Sequence, residues 1–183
     1  MRKIIFCNLM TIDGFFEGPQ QEIDWHYADE EHDKFAVELL NSVDTMIFGR
    51  KTYQLMEKAW AHASTQSSPI VKSMNELPKL VFSRTLEKVE WENSRLAQGA
   101  ISDEVATIKK QPGKDVVILG SAELAASFMK LRLIDEYQIL LNPILLGKGN
   151  PLFKEMDERM KLSLIRSKVR KNGVVELYYR NQI

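Results

Sequence analysis

Apolar and polar positions along the chain are arranged in blocks, in which short apolar runs are separated by longer amphipathic segments. The short runs predict strands, and the segments with apolar residues three or four positions apart predict helices. The run DVVILG (115–120) is apolar almost throughout, which is typical of a strand buried on both faces. The other predicted strands before the C-terminal part are KIIFCNLM (3–10), DTMIF (44–48), KLVFS (79–83) and DEYQILL (135–141).

Four amphipathic segments predict helices, and each places its apolar residues on one side. They are 29–43 with Phe35, Leu39 and Leu40; 51–60 with Tyr53, Met56 and Trp60; 102–111 with Val105 and Ile108; and 121–133 with Leu124, Phe128 and Leu131. Ser102 is positioned to cap the third helix. The polar stretch AHASTQSSP (61–69) predicts a loop.

The C-terminal part, residues 160–180, has a different pattern, in which apolar and polar residues alternate. Asn172-Gly173 interrupts the alternation with the dipeptide that favours a type I′ hairpin turn. Strands that alternate with helices predict a parallel sheet, so we expect a mostly parallel sheet that ends in an antiparallel hairpin. Without repeats or a linker in the sequence, residues 1–183 are predicted to form one α/β domain.

Composition and charge narrow the functional classes. The 25 lysines and arginines are balanced by 25 aspartates and glutamates. This balance argues against a nucleic-acid partner, since nonspecific binding to nucleic acid depends on a basic surplus. Cys7 is the only cysteine, which favours a reducing, cytoplasmic location. No segment approaches the length of a membrane span, and the three histidines lack the spacing of metal ligands.

The stretch TMIFGRKTYQLM (45–56) joins a predicted strand directly to a predicted helix. The junction consists of Gly49, Arg50, Lys51 and Thr52. A helix N-terminus attracts anions, because its first amide groups are unpaired and the helix dipole is positive there. An arginine adds a fork that fits phosphate oxygens. The alternative is a glycine turn followed by two solvated cations, and for this stretch alone it is the simpler interpretation.

Two further junctions favour the phosphate interpretation. Both follow predicted parallel strands, and ligands of α/β sheets bind outside the carboxyl ends of such strands. Together the three junctions predict a site for a dinucleotide that carries an additional phosphate, although the G-x-G-x-x-G pattern is absent. The residues of the two junctions are Ser83 and Arg84 after one strand, and Gly120, Ser121, Ala122 and Glu123 after the other.

The first predicted strand ends in TIDGFFEG, which contains Asp13 and Gly14. These two residues predict either a plain turn or a mobile loop over a bound ring. The following segment is acidic, and a half-buried carboxylate in it would be able to protonate a substrate. Asp13 and Glu30 are the candidates for this catalytic role.

In their order and spacing, four segments resemble the dihydrofolate reductase superfamily. They are MIFGRKTYQLM, LPKLVFSRTL, VVILGSAELAASFMKLRLIDE and NPILLGKGNPLF. The likeness is greater to the branch that contains the reductase domain of the bifunctional riboflavin-biosynthesis deaminase-reductase, which the opening NLMTIDGFFEG also resembles. The resemblance extends over nearly the whole chain.

The resemblance implies a three-layer dihydrofolate reductase-like fold and the cofactor NADPH. It implies that residues 49–52 meet the phosphates of NADPH, that Ser83 and Arg84 form a second phosphate contact, and that residues 120–123 lie beneath the pyrophosphate. Asp13 and Gly14 would lie near the nicotinamide. It also implies a homodimer. The best-known relatives carry paired glycines where this chain has Gly120-Ser121.

The leading hypothesis is therefore an NADPH-dependent reductase that transfers a hydride to a flat, pterin-like or pyrimidine-like small molecule. The protein would orient the reactants and exclude water, since the cofactor supplies the hydride. A second hypothesis is a nucleotide- or pterin-binding module without turnover. A third hypothesis is a structural interaction protein. Under this hypothesis the residues typical of a phosphate site at the three junctions would be a coincidence.

Overall fold

The computed structural model describes residues 1–64, 68–154, 156 and 158–182. Strands and helices alternate through most of these ranges, as the sequence pattern predicts. In chain order the elements are β1 (Ile4–Thr11), β2 (Phe15–Glu17), α1 (Glu30–Ser42), β3 (Val43–Gly49), α2 (Arg50–Trp60), α3 (Pro69–Glu76), β4 (Lys79–Phe82), β5 (Ser94–Leu96), α4 (Ile101–Lys110), β6 (Asp115–Leu119), α5 (Ala122–Lys130), β7 (Glu136–Asn142), β8 (Asn150–Pro151), β9 (Leu162–Val169) and β10 (Val175–Asn181).

Eight of the strands form one sheet in the order β5-β4-β3-β6-β1-β7-β10-β9, and β2 pairs with β8 separately. The strands from β5 to β7 are parallel to their neighbours, whereas β10 and β9 are antiparallel. The carboxyl ends of β4, β3 and β6 therefore lie side by side at one edge of the sheet. This arrangement confirms the predicted α/β fold with a mostly parallel sheet and a C-terminal antiparallel hairpin.

Each face of the sheet is covered by a separate apolar core, which gives the predicted three layers. Side chains alternate between the two faces of a strand, so β1 sends Ile4 and Phe6 to one core and Ile5 and Cys7 to the other. Helices α4 and α5 cover the first core. Helices α1, α2 and α3 cover the second. The sheet thus holds both helical layers in fixed positions around its carboxyl edge.

The structure corrects three details of the predicted helices. Helix α4 begins at Ile101 with Ala100 at its N-cap, so Ser102 lies within the first turn and does not cap the helix. Leu131 follows the end of α5 and is half exposed, because the helix ends at Lys130. The predicted loop 61–69 overlaps α3, which begins at Pro69 behind a Ser68 cap; residues 65–67 of that loop lie outside the described residues.

The hairpin between β9 and β10 forms where it is predicted, but its turn differs from type I′. A type I′ turn needs positive φ at both central residues. Here Gly173 has a φ of 87°, and Asn172 is not among the residues with positive φ. The Asn172 side chain instead accepts a hydrogen bond from the amide of Val174. The Gly173 amide donates to the carbonyl of Arg170, which closes the turn.

Candidate functional site

A cavity of about 750 Å³ opens at the carboxyl ends of β3, β4 and β6, and we refer to it as the outer cavity. It brings together most of the residues that the three sequence junctions contribute, because the parallel strands end at the same edge. Gly49 on β3 is paired in register with Phe82 on β4, which fixes the first two junctions beside each other. The predicted cofactor residues that line the outer cavity are Gly49, Arg50, Lys51, Thr52, Ser83, Arg84, Ser121, Ala122 and Glu123.

The α2 junction carries two cations that are not neutralised by buried partners. Arg50 is exposed, and its guanidinium donates a long hydrogen bond of 3.4 Å to the side-chain oxygen of Gln54. Lys51 lies 3.8 Å from a carboxylate oxygen of Glu123, but both side chains are more than half exposed. Exposed ion pairs of this kind contribute little to stability. Both cations therefore remain available to an anion in the outer cavity.

The α5 junction has an unusual backbone that is held in place by the α2 junction. Gly120 and Ser121 have positive φ angles of 57° and 50°, and a left-handed conformation is unfavourable for a serine. The hydroxyl of Ser121 accepts a hydrogen bond from the Gly49 amide at 3.0 Å, and the Ser121 amide donates to the Thr52 hydroxyl at 3.1 Å. These reciprocal hydrogen bonds stabilise a turn in which serine occupies the second position.

A side chain at Gly120 would be crowded. A Cβ at this position would lie 3.2 Å from Cγ2 of Thr52, which is closer than ordinary van der Waals contact. The positive φ and this close approach both favour glycine. Gly120 itself lines a second cavity that adjoins the outer one, which we refer to as the inner cavity. The α5 junction therefore contributes residues to both cavities.

The β4 junction presents one hydroxyl and one cation. Ser83 Oγ accepts hydrogen bonds from the amides of Thr85 and Leu86, at 3.1 and 2.9 Å, so the hydroxyl also shapes the turn. Its own proton is left to donate. Arg84 is exposed at the cavity wall. The outer cavity is thus lined by three basic side chains, namely Arg50, Lys51 and Arg84.

The N-termini of the helices differ according to whether they face the outer cavity. Gly49, Ala100 and Ser121, the N-cap residues of α2, α4 and α5, all line this cavity, and none of them caps its helix with a side chain. By contrast, Asp29 and Ser68 cap α1 and α3 with side-chain oxygens. Uncapped first-turn amides need an external acceptor. Three helix N-termini therefore offer unpaired donors and positive dipole ends to the outer cavity.

The loop after β1, which contains Asp13 and Gly14, does not line either cavity. Asp13 is not among the residues that line the outer cavity or its neighbour. Its carboxylate accepts hydrogen bonds from the Thr11 hydroxyl at 2.6 Å and from the Gly147 amide at 2.8 Å. The Thr11 hydrogen bond is the largest cause that lowers the pKa of Asp13. A lowered pKa is the opposite of what a proton donor at neutral pH requires, and these contacts give Asp13 a structural role in the turn. Its expected catalytic role stays a prediction.

Gly14 and Glu30 also lie outside both cavity linings. Gly14 has a φ of 87° and its amide donates to the carbonyl of Thr11, which makes it part of the turn that follows β1. Glu30 points into solvent with a side chain that is 93% exposed, and its nearest cation is Lys34 at 3.9 Å. The expected roles, Gly14 near the nicotinamide and Glu30 as a proton donor, stay predictions.

The inner cavity, of about 380 Å³, continues from the outer cavity between β1 and the helices α1, α2 and α3. Four residues line both cavities: Phe16, Glu17, Thr52 and Ser121. The walls of the inner cavity are mainly apolar, and they include Phe35, Leu39, Leu55, Met56, Trp60, Ile70 and Met74. Met56 and Trp60, which the helical spacing of α2 places on the same side as Tyr53, thus face this cavity.

The inner cavity contains polar residues that the sequence analysis did not identify as site residues. Glu17, Asp33, His26 and His32 line it, together with Asn8. Burial is the main cause that lowers the pKa of His32, and the neighbouring His26 adds to the effect. The helical spacing of α1 indicates that His32 faces inward. His32 precedes the buried Phe35 and Leu39 by three and seven positions, so it lies on the same side of the helix. Glu17 and Asp33 are exposed or half-buried, and no such spacing identifies them.

Cys7 lines the inner cavity but is buried. Burial raises the pKa of its thiol to about 12, so it remains protonated at neutral pH and is not a nucleophile. Among the described residues, no three histidine, cysteine or acidic side chains are grouped so as to hold a metal ion. The described helices also include none that is long and apolar enough to cross a membrane.

Comparisons with known proteins support a common ancestry for this arrangement. YyaP of Bacillus subtilis strain 168, a protein of uncharacterized function, is 33% identical over 184 residues, which cover 97% of this chain and 94% of YyaP. A crystallised protein of Shewanella sp. PV-4, assigned provisionally to riboflavin biosynthesis, is 24% identical with a TM-score of 0.82, and each chain is covered completely.

The fold also matches that of dihydrofolate reductase from Enterococcus faecalis in complex with NADP(H) and RAB-propyl. The TM-score is 0.69 at 14% identity, over 99% of this chain and 97% of the reductase. At this identity the match concerns the fold alone. The family model of the RibD C-terminal domain matches residues 2–176. The chain therefore belongs to the RibD C-terminal domain family, as its sequence motifs predict.

Proposed function

We propose that the protein is an NADPH-dependent reductase that transfers a hydride to a pterin-like or pyrimidine-like small molecule. The single observation that carries this proposal is the outer cavity, into which three helices direct uncapped N-termini and three basic side chains project. Its volume of about 750 Å³ lies in the upper part of the range for small-molecule pockets, roughly 300–1,000 Å³. Membership of a family with reductase-like relatives supports the same function.

The residues of the outer cavity fit a dinucleotide that carries an extra phosphate. The amides at the starts of α2 and α5 would bind the pyrophosphate, because they have no acceptor within their helices. Arg50, Lys51 and Arg84 would bind the remaining phosphate, which distinguishes NADPH from NADH. The other residues proposed to hold the cofactor are Gly49, Thr52, Ser83, Gly120, Ser121, Ala122 and Glu123.

The inner cavity would hold the substrate beside the end of the cofactor, since Thr52 and Ser121 line both cavities. NADPH, when bound, supplies the hydride. The apolar walls of the inner cavity would orient the substrate ring and exclude water. Glu17 and Asp33 join Asp13 and Glu30 as candidate proton donors, because they are the carboxylates that line this cavity among the described residues.

A turnover assay tests the reductase proposal. Purified protein is mixed with NADPH and, in turn, with dihydropterins, aminopyrimidines and their ribosyl derivatives, and the absorbance of the reduced nicotinamide is followed. The proposal predicts oxidation of NADPH with at least one ring class, and the Arg50→Ala variant should require a higher NADPH concentration. Binding of NADPH without any turnover would favour a second candidate, a non-catalytic binding module. The position of Asp13 and Glu30 outside both cavities is the observation that favours that alternative.

We also propose a homodimer that uses strand β9. This strand pairs only with β10 among the described strands, so it forms one end of the sheet. Leu164 and Val169 on it are 55% and 71% exposed. A second copy would cover these apolar side chains in a symmetric interface. Light scattering coupled to gel filtration tests the dimer, and a Leu164→Lys variant should weaken it.

The proposed setting is the cytoplasm, with a small molecule rather than a nucleic acid as partner. Cys7 is buried and forms no disulfide, as expected in a reducing compartment. The balanced charge of the chain supports the exclusion of nucleic acid as a partner.

A further inference from the structure

The two cavities differ in their basic side chains. The outer cavity is lined by Arg50, Lys51 and Arg84, whereas none of the described residues that line the inner cavity is a lysine or an arginine. Carboxylates occur in both: Glu123 lines the outer cavity, Asp33 lines the inner one, and Glu17 lines both. A phosphate placed in the inner cavity would lose water without gaining a cation, and it would be repelled by the carboxylates. The inner cavity is therefore unsuited to a phosphorylated ligand.

Two residues that line the inner cavity each have a buried nitrogen atom without a hydrogen-bond partner among the described residues. These atoms are Nδ2 of Asn8 and Nδ1 of His32. Asn8 is 8% exposed, and its other side-chain atom, Oδ1, accepts a hydrogen bond from the Leu9 amide at 2.8 Å. This contact fixes the carboxamide and leaves Nδ2 as an unused donor. A buried donor without a partner is costly, so a ligand that supplies an acceptor is favoured.

The walls of the inner cavity favour a flat ring. Phe35 and Trp60 provide aromatic surfaces, and Met56 provides a polarizable side chain that adapts to the edge of a ring. Aliphatic residues of α1 and α3 complete the walls. A heteroaromatic ring with carbonyl or ring-nitrogen acceptors on one edge would fill this space and satisfy the free nitrogen atoms together.

We infer that the inner cavity selects a flat heteroaromatic substrate that carries no phosphate, and that Asn8 and His32 recognise polar atoms on the edge of its ring. This inference rests on the proposed reductase function and narrows its substrate class. Because the two cavities meet at Thr52 and Ser121, the ring would lie next to the end of the dinucleotide. The phosphates of the complex would then all belong to the cofactor.

The test compares two ligands that differ only in a phosphate, namely 5-amino-6-ribosylaminouracil and its 5′-phosphate. Each is titrated into the full-length protein with and without saturating NADP⁺, and the emission of Trp60 in the cavity wall reports binding. The unphosphorylated ligand is expected to bind at least about tenfold more tightly, a difference of about 1.4 kcal/mol. Equal or tighter binding of the phosphate ester would overturn the inference.

Variants test the edge recognition. Asn8→Leu and His32→Phe each remove one free nitrogen atom and approximately keep the side-chain volume. Each variant should bind the unphosphorylated ligand about tenfold more weakly and bind NADP⁺ within about twofold of the wild type. Trp25→Phe is the matched control, because Nε1 of Trp25 is also buried without a partner although Trp25 lines neither cavity. Its ligand affinity should not change.

Two results separate the inference from the function on which it rests. If NADP⁺ fails to bind the wild type, the proposed function is wrong, and the titrations without NADP⁺ still decide the ligand class. If NADP⁺ binds but Asn8→Leu and His32→Phe both keep full ligand affinity, only the assigned edge recognition fails. Melting temperatures of all variants identify a loss of affinity that is caused by unfolding.

Discussion

The outer and inner cavities lie side by side at the carboxyl edge of the sheet, and Thr52 and Ser121 line both. The outer cavity is surrounded by uncapped helix N-termini and basic side chains. The inner cavity is lined by apolar side chains from α1, α2 and α3, and the starts of α1 and α3 are capped by their own side chains. We therefore expect the outer cavity to bind anions and the inner cavity to bind an uncharged ring.

This difference shows that one short helix can contribute residues to two cavities of different chemical character. Helix α2 presents its N-terminal amides and Arg50 to the outer cavity, whereas its side chains Met56 and Trp60, further along, face the inner one. If the account is right, substitution of Arg50 at the start of α2 affects only the cofactor, and substitution of Met56 further along affects only the ring. The same helix therefore supplies both the tests and their controls.

Removing two cations from the outer cavity should have the largest effect. In the double variant Arg50→Ala/Arg84→Ala the affinity for NADPH is expected to fall by about 100-fold, because hydrogen bonds to charged groups contribute about 1.5–3 kcal/mol each. The affinity for NADH should fall much less, since NADH lacks the additional phosphate. Calorimetric titration measures both constants. Lys58→Ala, at the exposed end of the same helix and outside both cavities, is the control and should bind normally. Equal losses for the two cofactors would contradict the phosphate role of the arginines.

A side chain at Gly120 should disturb the boundary between the cavities. Gly120→Ala adds a Cβ at a φ of 57° and 3.2 Å from Cγ2 of Thr52. We expect the free energy of unfolding to fall by about 1–2 kcal/mol and cofactor affinity to fall with it. Denaturant titration and cofactor binding measure the two effects. Gly173→Ala, in the hairpin turn at a φ of 87°, should lower stability similarly and leave the cofactor affinity intact. If both variants lose cofactor affinity equally, the role of Gly120 at the boundary is disproved.

Removing a side chain from the wall of the inner cavity should weaken binding of the ring ligand and leave NADPH binding unchanged. The expected loss of affinity is smaller than in the arginine double variant. Met56→Ala removes part of an apolar wall, and the affinity for a ring ligand is expected to fall about fivefold, as for a loss of about 1 kcal/mol of apolar contact. The NADPH affinity should stay unchanged. Lys58→Ala again provides the control from the same helix. A Met56→Ala variant that loses NADPH rather than ring affinity would show that the two cavities do not act separately.

The substitution Asp13→Asn should have the smallest effect, and it should change stability rather than activity. Its folded-state pKa is lowered below 3.8, first by the Thr11 hydrogen bond, so the carboxylate contributes stability at neutral pH. That contribution is lost as the pH falls from 3.8 through the lower folded-state value. Asp13→Asn should therefore melt slightly below the wild type at neutral pH, and the difference should disappear in acid. Its turnover should equal that of the wild type; a large loss would support Asp13 as the proton donor.

The fold and the three junctions could be predicted from the sequence because they depend on local signals. The apolar runs identify the parallel strands, and parallel strands bring Gly49, Ser83 and Gly120 to one edge of the sheet. Helix α3 is not predicted, because Ser68 and Pro69 end a polar stretch that predicts a loop, although a serine cap and a proline in the first turn also mark a helix start. Neighbouring polar residues obscured this signal.

The carboxylates that line the inner cavity could not be predicted from the sequence, because exposure depends on tertiary packing. Acidic residues follow one another at the start of α1, and the sequence does not show which of them faces a cavity. In the structure Glu30 points into solvent, whereas Asp33, one turn later, lines the inner cavity. Asp13 follows the first strand as a catalytic loop residue might be expected to, yet its carboxylate is occupied by Thr11 and the amide of Gly147.

A titration of the wild-type protein with NADPH and with NADH tests the central claim most directly. Tryptophan emission and the melting temperature are followed together, because a ligand at a hundredfold excess over its dissociation constant stabilises a fold by about 2.7 kcal/mol. The account predicts saturable binding of NADPH, a clear rise in melting temperature, and much weaker binding of NADH. No response to either cofactor would contradict the account, because the uncapped helix N-termini and the basic side chains of the outer cavity would then bind no dinucleotide.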